Sequence, residues 1–243
     1  MPARRRIAIL MPSYNERPET VRRTLMGLHA VAASLGGLVV YLVDDGSRTP
    51  LHLGDHAADV VTDSLGVVVA RHPINLGQGA ALETARQLAV RAEHDLFVTM
   101  DVDGQHRADD LPALVKAIDD GADVAFGNRF AADTQIPFVR GLVLRAARIF
   151  ERVITGLKLN DAHNGYRAFS RKGIELLSIR QNRMAHATEI KQQVALHKSA
   201  LRITEVPVSV LYSEDTMQRG QSSLGAVDIL RDLAHRFLFG PNA

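Results

Sequence analysis

Through its first half the chain alternates short, unbroken apolar runs with longer amphipathic stretches. Ile7-Ala8-Ile9-Leu10-Met11, closed by Pro12, has the pattern of a parallel strand buried on both faces. Pro18 suits the first turn of a helix expected to run to about Leu35, where Gly36-Gly37 stops it. Leu38 to Val43 predicts a second buried strand, ended by the turn-forming Asp44-Asp45-Gly46-Ser47. Val67 to Ala70 reads as a third strand. Gly77 to Ala92 reads as a helix, with Ala80, Ala81, Ala85 and Ala89 supplying propensity. Asp95 to Met100 is a fourth strand, Asp109 an expected N-cap for a helix to about Asp119, and Val124-Ala125-Phe126 a fifth strand ending at Gly127-Asn128-Arg129.

Repeated β-α-β units predict an α/β fold, a mostly parallel central sheet with helices on both faces. In such sheets ligands bind beyond the carboxyl ends of the strands. The polar clusters fall at those ends: Tyr14 to Glu16, Asp44-Asp45, Asp101 to His106, and Arg129. The second half differs. Phe138 to Leu157 is apolar and arginine-studded, with Arg145, Arg148 and Arg152 at helical spacing. A turn-rich Asn160 to Arg167 follows, then helices near Gly173 to Leu177 and Thr188 to His197. Leu201 to Tyr212 alternates around Pro207 like an edge strand. Ser213 to Ser223 is polar, and Leu224 to Phe239 predicts an amphipathic terminal helix. The expected organisation is one domain over 1–243. Residues up to about 130 form a nucleotide-binding half, 131–223 an acceptor-side half, and 224–243 the terminal helix.

Composition narrows the chemistry. The 243 residues contain no Cys, which removes disulfides, thiolate nucleophiles and Cys-bound zinc. Trp is absent and aromatics make up 5%, a poor basis for stacking single-stranded nucleic acid. Lys+Arg 29 against Asp+Glu 27 gives a net charge of only +2, which argues against a bulk nucleic-acid partner. Arg4, Arg5 and Arg6 resemble the charged start of a signal peptide, but the apolar run after them is too short for one. No stretch approaches the roughly 20 apolar residues of a membrane helix. The expectation is a cytoplasmic protein, soluble or peripheral on the cytoplasmic face of the membrane. The ten histidines are scattered and, His106 aside, read as structural or solvated.

Asp101-x-Asp103 at a strand end offers hard oxygen ligands to Mg²⁺ or Mn²⁺, with Gln105 or His106 near enough to add another. A carboxylate at Asp44 can accept from a ribose hydroxyl or a base edge, or simply form its turn. Asn75-Leu76-Gly77-Gln78-Gly79 lacks the ending of a Walker A loop. Its glycines allow close approach of an anion at a helix N-terminus, or mark a tight turn.

Six motifs occur in order: Pro12-Ser13-Tyr14-Asn15-Glu16, Asp44-Asp45-Gly46-Ser47, Asn75-x-Gly77-x-Gly79-Ala80, Asp101-Val102-Asp103-Gly104-Gln105-His106, Gly127-Asn128-Arg129-Phe130 and Asn164-Gly165-Tyr166-Arg167-Ala168-Phe169. The series resembles glycosyltransferase family 2, and within it the dolichol/polyprenyl-phosphate mannosyltransferase-like branch, from about Ile7 to Leu224. Glu205-Val206-Pro207-Val208 and Arg219-Gly220-Gln221-Ser222-Ser223 fit that branch's late strand and loop, though Ser222-Ser223 stands where the family usually has Ser-Lys. The resemblance implies a GT-A, Rossmann-like fold, a nucleotide-sugar donor and inversion at the anomeric carbon. It implies that Pro12, Tyr14, Glu16 and Asp44 hold the nucleoside. It places the metal and diphosphate at Asp101, Asp103 and Gln105, with Arg129, Arg140, Arg167 and Arg219 at the donor and acceptor.

A phosphate acceptor is ionised at neutral pH and needs no general base; a sugar hydroxyl needs one, and Asp161 lies where such a base could sit. Its alternative role is to brace the loop before Gly165. The expected partners are a nucleotide-sugar donor (GDP-mannose or a UDP-sugar), a lipid-phosphate or saccharide acceptor, and a membrane surface or membrane-anchoring partner. The apolar population around Arg145, Arg148 and Arg152 favours lipid contact over a solvated face. The class furthest from these is a non-catalytic nucleotide-sugar-binding subunit.

Overall fold

A computed structural model of the protein describes residues 6–52, 54, 57, 59–131, 152, 153, 155–161, 164–183 and 185–211. Arg140, Arg145, Arg148, Arg219, most of the arginine-studded stretch and the expected terminal helix lie outside the described residues.

Among the described residues, seven strands form one sheet in the order β3-β2-β1-β4-β6-β5-β7. They are β1 (Ile7–Ser13), β2 (Leu38–Asp44), β3 (Leu65–Arg71), β4 (Leu96–Thr99), β5 (Val124–Asn128), β6 (Arg167–Ser170) and β7 (Ile203–Pro207). The helices are α1 (Pro18–Ala32), α2 (Gln78–Arg91), α3 (Leu111–Asp119), α4 (Arg171–Glu175) and α5 (His186–Leu196). β1 pairs in parallel with β2 and β4, β2 with β3, and β5 with β7. Strands from both expected halves therefore share one sheet.

Both faces of the sheet are covered, which is why β1 from Ile7 to Met11 and β2 from Leu38 to Val43 run apolar without a break. Side chains alternate across a strand. Ile7, Ile9 and Met11 pack under Val21, Leu25 and Leu28 of α1 and Leu111 and Leu114 of α3. Ala8 and Leu10 face Ala81, Ala85 and Ala89 of α2 and Ile190 and Val194 of α5. Each fully buried Leu or Ile here contributes about 1.5–3 kcal/mol. The four-residue spacing of Ala81, Ala85 and Ala89 presents a small-residue stripe that lets α2 lie close to the sheet.

Three details depart from the sequence reading. β1 does not stop before Pro12 but runs through it, pairing Pro12 with Val43. Pro12 is tolerated in a central strand because the pairing with β4 covers only Ile7 to Leu10, so the missing N–H has no ladder partner to lose on that side. Asp109 caps no helix. A 3₁₀ turn, Ala108–Asp110, precedes α3; Asp109 pairs with Arg107, and Asp110 accepts from the Ser209 N–H at 2.7 Å. The largest departure is β6, four residues lying antiparallel between β4 and β5. β7 takes the edge position expected for the stretch from Leu201 to Tyr212, but covers only Ile203–Pro207 of it.

Candidate active site

β1 outlasts β4, and β6 enters from the opposite direction, so a crevice opens beyond Thr99. The turn after β4 carries Asp101 and Asp103 into it. Gly104, at φ +78°, allows the turn to reverse. Asp101 Oδ1 accepts from Gln78 Nε2 at 2.8 Å, and Oδ2 lies 3.4 Å from His106 Nε2. Asp103 Oδ1 accepts from the Gln105 N–H at 2.9 Å. Burial pushes the Asp103 carboxyl above the usual carboxylate range, and the neighbouring Asp101 charge adds to it. Burial also opposes ionisation of Asp101, but the hydrogen bond and charge of His106, with His186 and Arg167 nearby, hold its carboxyl below that range. An ionised Asp101, with a third of its side chain open, beside an Asp103 carboxyl whose ionisation is opposed by burial and by that neighbouring charge, forms a donor set that a hard divalent cation would relieve. Among the described residues no group of three His, Asp or Glu is placed to hold a metal by itself. A cation here would share its coordination with Gln105, water or substrate oxygens.

β6 brings Asn164, Gly165, Tyr166 and Arg167 to this turn. Arg167 is in register with Thr99, and Thr99 Oγ1 donates to the Gly165 carbonyl at 2.6 Å. Gly165 packs against Asp101 so closely that a Cβ would stand 2.6 Å from Oδ2. Tyr166 is buried with its ring 5.0 Å from that of His106. The neighbouring Gly127 lets β5 close on the same segment, its N–H donating to the Tyr166 carbonyl at 2.9 Å. Gln78, Thr99, Asp101, Gly165, Arg167 and His186 share the lining of a cavity of about 100 Å³ with Pro12 and Leu82.

The loops on the β1–β2 side are tied together. Asn15 donates its N–H to Ser47 Oγ at 2.8 Å and accepts from the Arg48 N–H at 2.9 Å, leaving Tyr14 exposed and Glu16 half-buried. Asp44 is buried and accepts from the N–H groups of Ser47 and Leu51 and from Arg71. Burial opposes its ionisation, yet these bonds and the Arg71 charge hold its carboxyl below the usual range. Asp45 accepts from His72, Asn75, Leu76 and Gly77 at 2.7–3.0 Å, pinning the loop before α2. That loop is close-packed against protein. A Cβ on Gly77 or Gly79 would meet the carbonyl oxygens of Asn182 and Gln181 at 2.2 and 1.9 Å, and Gly79 N–H donates to the Asn182 carbonyl. The glycines serve backbone packing between α2 and the segment before α5.

At the end of β5, Arg129 and Asp161 form a buried pair. Asp161 Oδ2 accepts from Arg129 Nε at 2.6 Å and from its N–H at 3.0 Å, with Asn164 Nδ2 at 3.3 Å. Asp161 is 2% exposed. Glu205 of β7 holds the loop from outside, accepting from the Asn160 N–H and side-chain amide at 2.7 Å each. The crevice thus gathers Pro12, Asp101 and Arg167, with Asp103 and Gln105 on the same turn as Asp101, while Arg129 and Asp161 stand together as a separate buried pair; Tyr14, Glu16 and Asp44 belong to the β1–β2 loops. Gln78, Thr99 and His186 were not singled out from the sequence. Gln78 lay inside a recognised motif, but nothing in the pattern around His186 pointed inward.

The sequence profile described as Glycosyl transferase family 2 matches residues 8–177. The chain belongs to glycosyltransferase family 2. A polyprenol monophosphomannose synthase of Mycolicibacterium smegmatis is 30% identical to this glycosyltransferase over 178 residues, 72% of this chain and 65% of that protein. An undecaprenyl-phosphate mannosyltransferase of Micrococcus luteus is 28% identical over 215 residues, 86% of this chain and 85% of that one. These relatives place it in the dolichol/polyprenyl-phosphate mannosyltransferase-like branch. Glucosyl-3-phosphoglycerate synthase of Mycobacterium tuberculosis, solved with Mn²⁺, uridine diphosphate and glucosyl-3-phosphoglycerate, superposes with a TM-score of 0.59 at 18% identity, covering 94% of this chain and 79% of that one. The common architecture is the α/β GT-A fold.

Proposed function

We propose that this glycosyltransferase moves a hexose from a nucleoside-diphosphate sugar to a polyprenyl phosphate, with inversion at the anomeric carbon. The relatives named for polyprenyl-phosphate mannosyl transfer support the acceptor class. The observation that carries the choice between acceptors is the state of Asp161. Its Oδ2 accepts three bonds from Arg129 and Asn164, and it is 2% exposed. A carboxylate so engaged braces a cation and is poorly placed to take a proton from an incoming hydroxyl. A phosphate acceptor needs no such base. In that reaction an acceptor phosphate oxygen bonds to the anomeric carbon, the bond from that carbon to the diphosphate oxygen breaks, and no proton moves.

Asp101 and Asp103, with Gln105, would hold Mg²⁺ or Mn²⁺ against the diphosphate, and the cation supplies Lewis-acid stabilisation of the leaving charge. Gln78 and His106 fix the Asp101 carboxylate from two sides. Arg167 adds positive potential at the crevice wall, where charge develops on the leaving group. Pro12, Tyr14, Glu16 and Asp44 shape the nucleoside side, Asp44 by holding the loop to Leu51. Arg129 sits at the end of β5, positioned by Asp161. Arg140 and Arg219 are assigned to the phosphates by sequence motif alone. Exposed Tyr14, Ile74 and Leu76 on the loops at this end of the sheet suit approach to a membrane-borne lipid. No described helix is long and apolar enough to cross a membrane.

Calorimetric titration with GDP and UDP, each with Mn²⁺, with Mg²⁺ and with EDTA, tests the donor site. Metal-dependent binding of one nucleotide is expected. Incubation of labelled GDP-mannose or UDP-glucose with a short polyprenyl phosphate then tests transfer, with label expected in the lipid phase. Transfer to a saccharide hydroxyl instead would overturn the acceptor assignment. Absence of both transfer and donor hydrolysis would move the protein to the non-catalytic binding class.

A further inference from the structure

We propose that His186 is a specificity-determining residue of this enzyme, accepting a hydrogen bond from a hydroxyl of the sugar being transferred. The inference rests on the donor reading above. His186 opens α5 and is 5% exposed. His186 lines the cavity of about 100 Å³ that also takes in Asp101, Gln78, Gly165 and Arg167. That volume equals a few waters at about 30 Å³ each, so it takes one edge of a sugar ring rather than a nucleotide.

The ring is held so that its free atom is defined. Nδ1 lies 2.9 Å from the Arg183 carbonyl oxygen. A carbonyl only accepts, so Nδ1 carries the proton. Burial holds the imidazole pKa below its ordinary value; Arg167 and Lys191 act in the same direction, against the Arg183 carbonyl and Asp101. A neutral imidazole protonated on Nδ1 presents a lone pair at Nε2. Nε2 has no hydrogen-bond partner among the described residues. An ionised phosphate oxygen has no proton to give it, so the matching ligand group is a hydroxyl. The position of the ring is fixed by the contact with α2, where the Gly79 N–H donates to the Asn182 carbonyl at 2.8 Å and a Cβ at Gly79 would stand 2.9 Å from His186 Cβ.

A hydroxyl could come from the transferred sugar or from a saccharide acceptor; the place of the cavity against Asp101 assigns it to the sugar. The test uses the full chain with Mn²⁺ and no acceptor, titrated with GDP-mannose, UDP-glucose, GDP and UDP. In His186→Phe the nucleotide sugar that binds wild type is expected to lose about tenfold in affinity, on the scale of one hydrogen bond, while the matching nucleoside diphosphate is unchanged. His186→Gln, which keeps an acceptor, should recover part of the loss. In wild type, the imidazole ¹⁵N spectrum should show the Nδ1-protonated tautomer, with an Nε2 resonance that moves on adding the nucleotide sugar and not the nucleoside diphosphate. If His186→Phe fails to fold, that spectrum decides alone. Equal losses for sugar and diphosphate, or no loss for either, would overturn the inference while leaving the donor reading intact. Wild type that binds GDP or UDP but neither nucleotide sugar overturns the inference alone; wild type that binds none of the four overturns both.

Discussion

Gly165→Ala isolates the placement of one carboxylate. A Cβ at Gly165 would stand 2.6 Å from Asp101 Oδ2, 3.3 Å from its Cγ and 3.5 Å from His106 Nε2. No backbone atom is among these three, so the strand need not move; the Asp101 side chain must. Ordinary contact begins at 3.4 Å, so the carboxylate has to retreat by about 0.8 Å. Retreat stretches the 2.8 Å bond from Gln78. A charge-assisted bond of that kind is worth about 1.5–3 kcal/mol when lost outright, and stretching it should cost about 1 kcal/mol of stability. Catalysis should suffer far more, since a misplacement near 1 Å at a reacting site costs on the order of 10²-fold. The assay is release of nucleoside diphosphate from the donor that binds, beside urea unfolding of the same preparation. Gly66→Ala is the control: its Cβ would meet nothing closer than Val39 Cγ2 at 3.6 Å, and turnover should not change. Near wild-type turnover in Gly165→Ala would refute the idea that the backbone leading into β6 sets the Asp101 geometry. A stability loss above about 4 kcal/mol would show that the clash reaches the strand itself.

Removing Asp161 strands a buried guanidinium, so Asp161→Ala should lose about 3–5 kcal/mol in urea unfolding and Asp161→Asn clearly less; a loss under about 1 kcal/mol for Ala would contradict the pairing seen here. Gly79→Ala drives a Cβ to 1.9 Å from a carbonyl oxygen, a collision no rotamer relieves, and should give insoluble protein or a loss of at least about 3 kcal/mol; a soluble variant of wild-type stability would sink that account. His94 is buried against Tyr41 at 2.9 Å, and burial, with the charge of Arg6, lowers its pKa. The folded state therefore binds fewer protons there, and the stabilisation is complete above about pH 6.5 and lost as pH falls from that value through the depressed folded pKa. His94→Gln should flatten the pH dependence of the unfolding midpoint below that value; an unchanged slope would count against it.

Much of this architecture was legible because buried parallel strands are apolar at every position. Ile7 to Met11 and Leu38 to Val43 could hardly be anything else, and their polar ends marked the crevice. β6 escaped because Arg167-Ala168-Phe169-Ser170 is only four residues long and begins with an arginine. Its strand character comes from being clamped between β4 and β5, a tertiary fact with no local signature. Pro12 misled in the opposite way: the rule that proline ends a central strand assumes a neighbour on both sides, and β4 has already stopped there. Asp109 looked like a cap, but Arg107 holds its carboxylate. The Asp101-x-Asp103 turn was readable from sequence; Gln78 and His186 were not, because they reach the crevice only when α2 and α5 dock against each other.

That docking explains what the glycines of the Asn75–Gly79 motif do, and it changes where selectivity should be sought. Glycines before a helix suggest an anion cradle, yet Gly77 and Gly79 are filled by the carbonyls of Asn182 and Gln181. Gly127 and Gly165 likewise admit β6, one against the Tyr166 carbonyl and the other against Asp101. Each brings a main-chain segment closer than any side chain would allow, so the crevice is aligned by backbone contacts that leave little freedom to the metal-binding turn. A geometry set by main chain is indifferent to which hydroxyl a sugar carries. Discrimination must then fall to the few side chains that line the remaining space, of which Gln78 is committed to Asp101 and Arg167 carries a charge suited to phosphate. His186 is left as the neutral acceptor there. A change of sugar preference should accordingly be reachable by substitution at position 186 without disturbing the diphosphate end of the site.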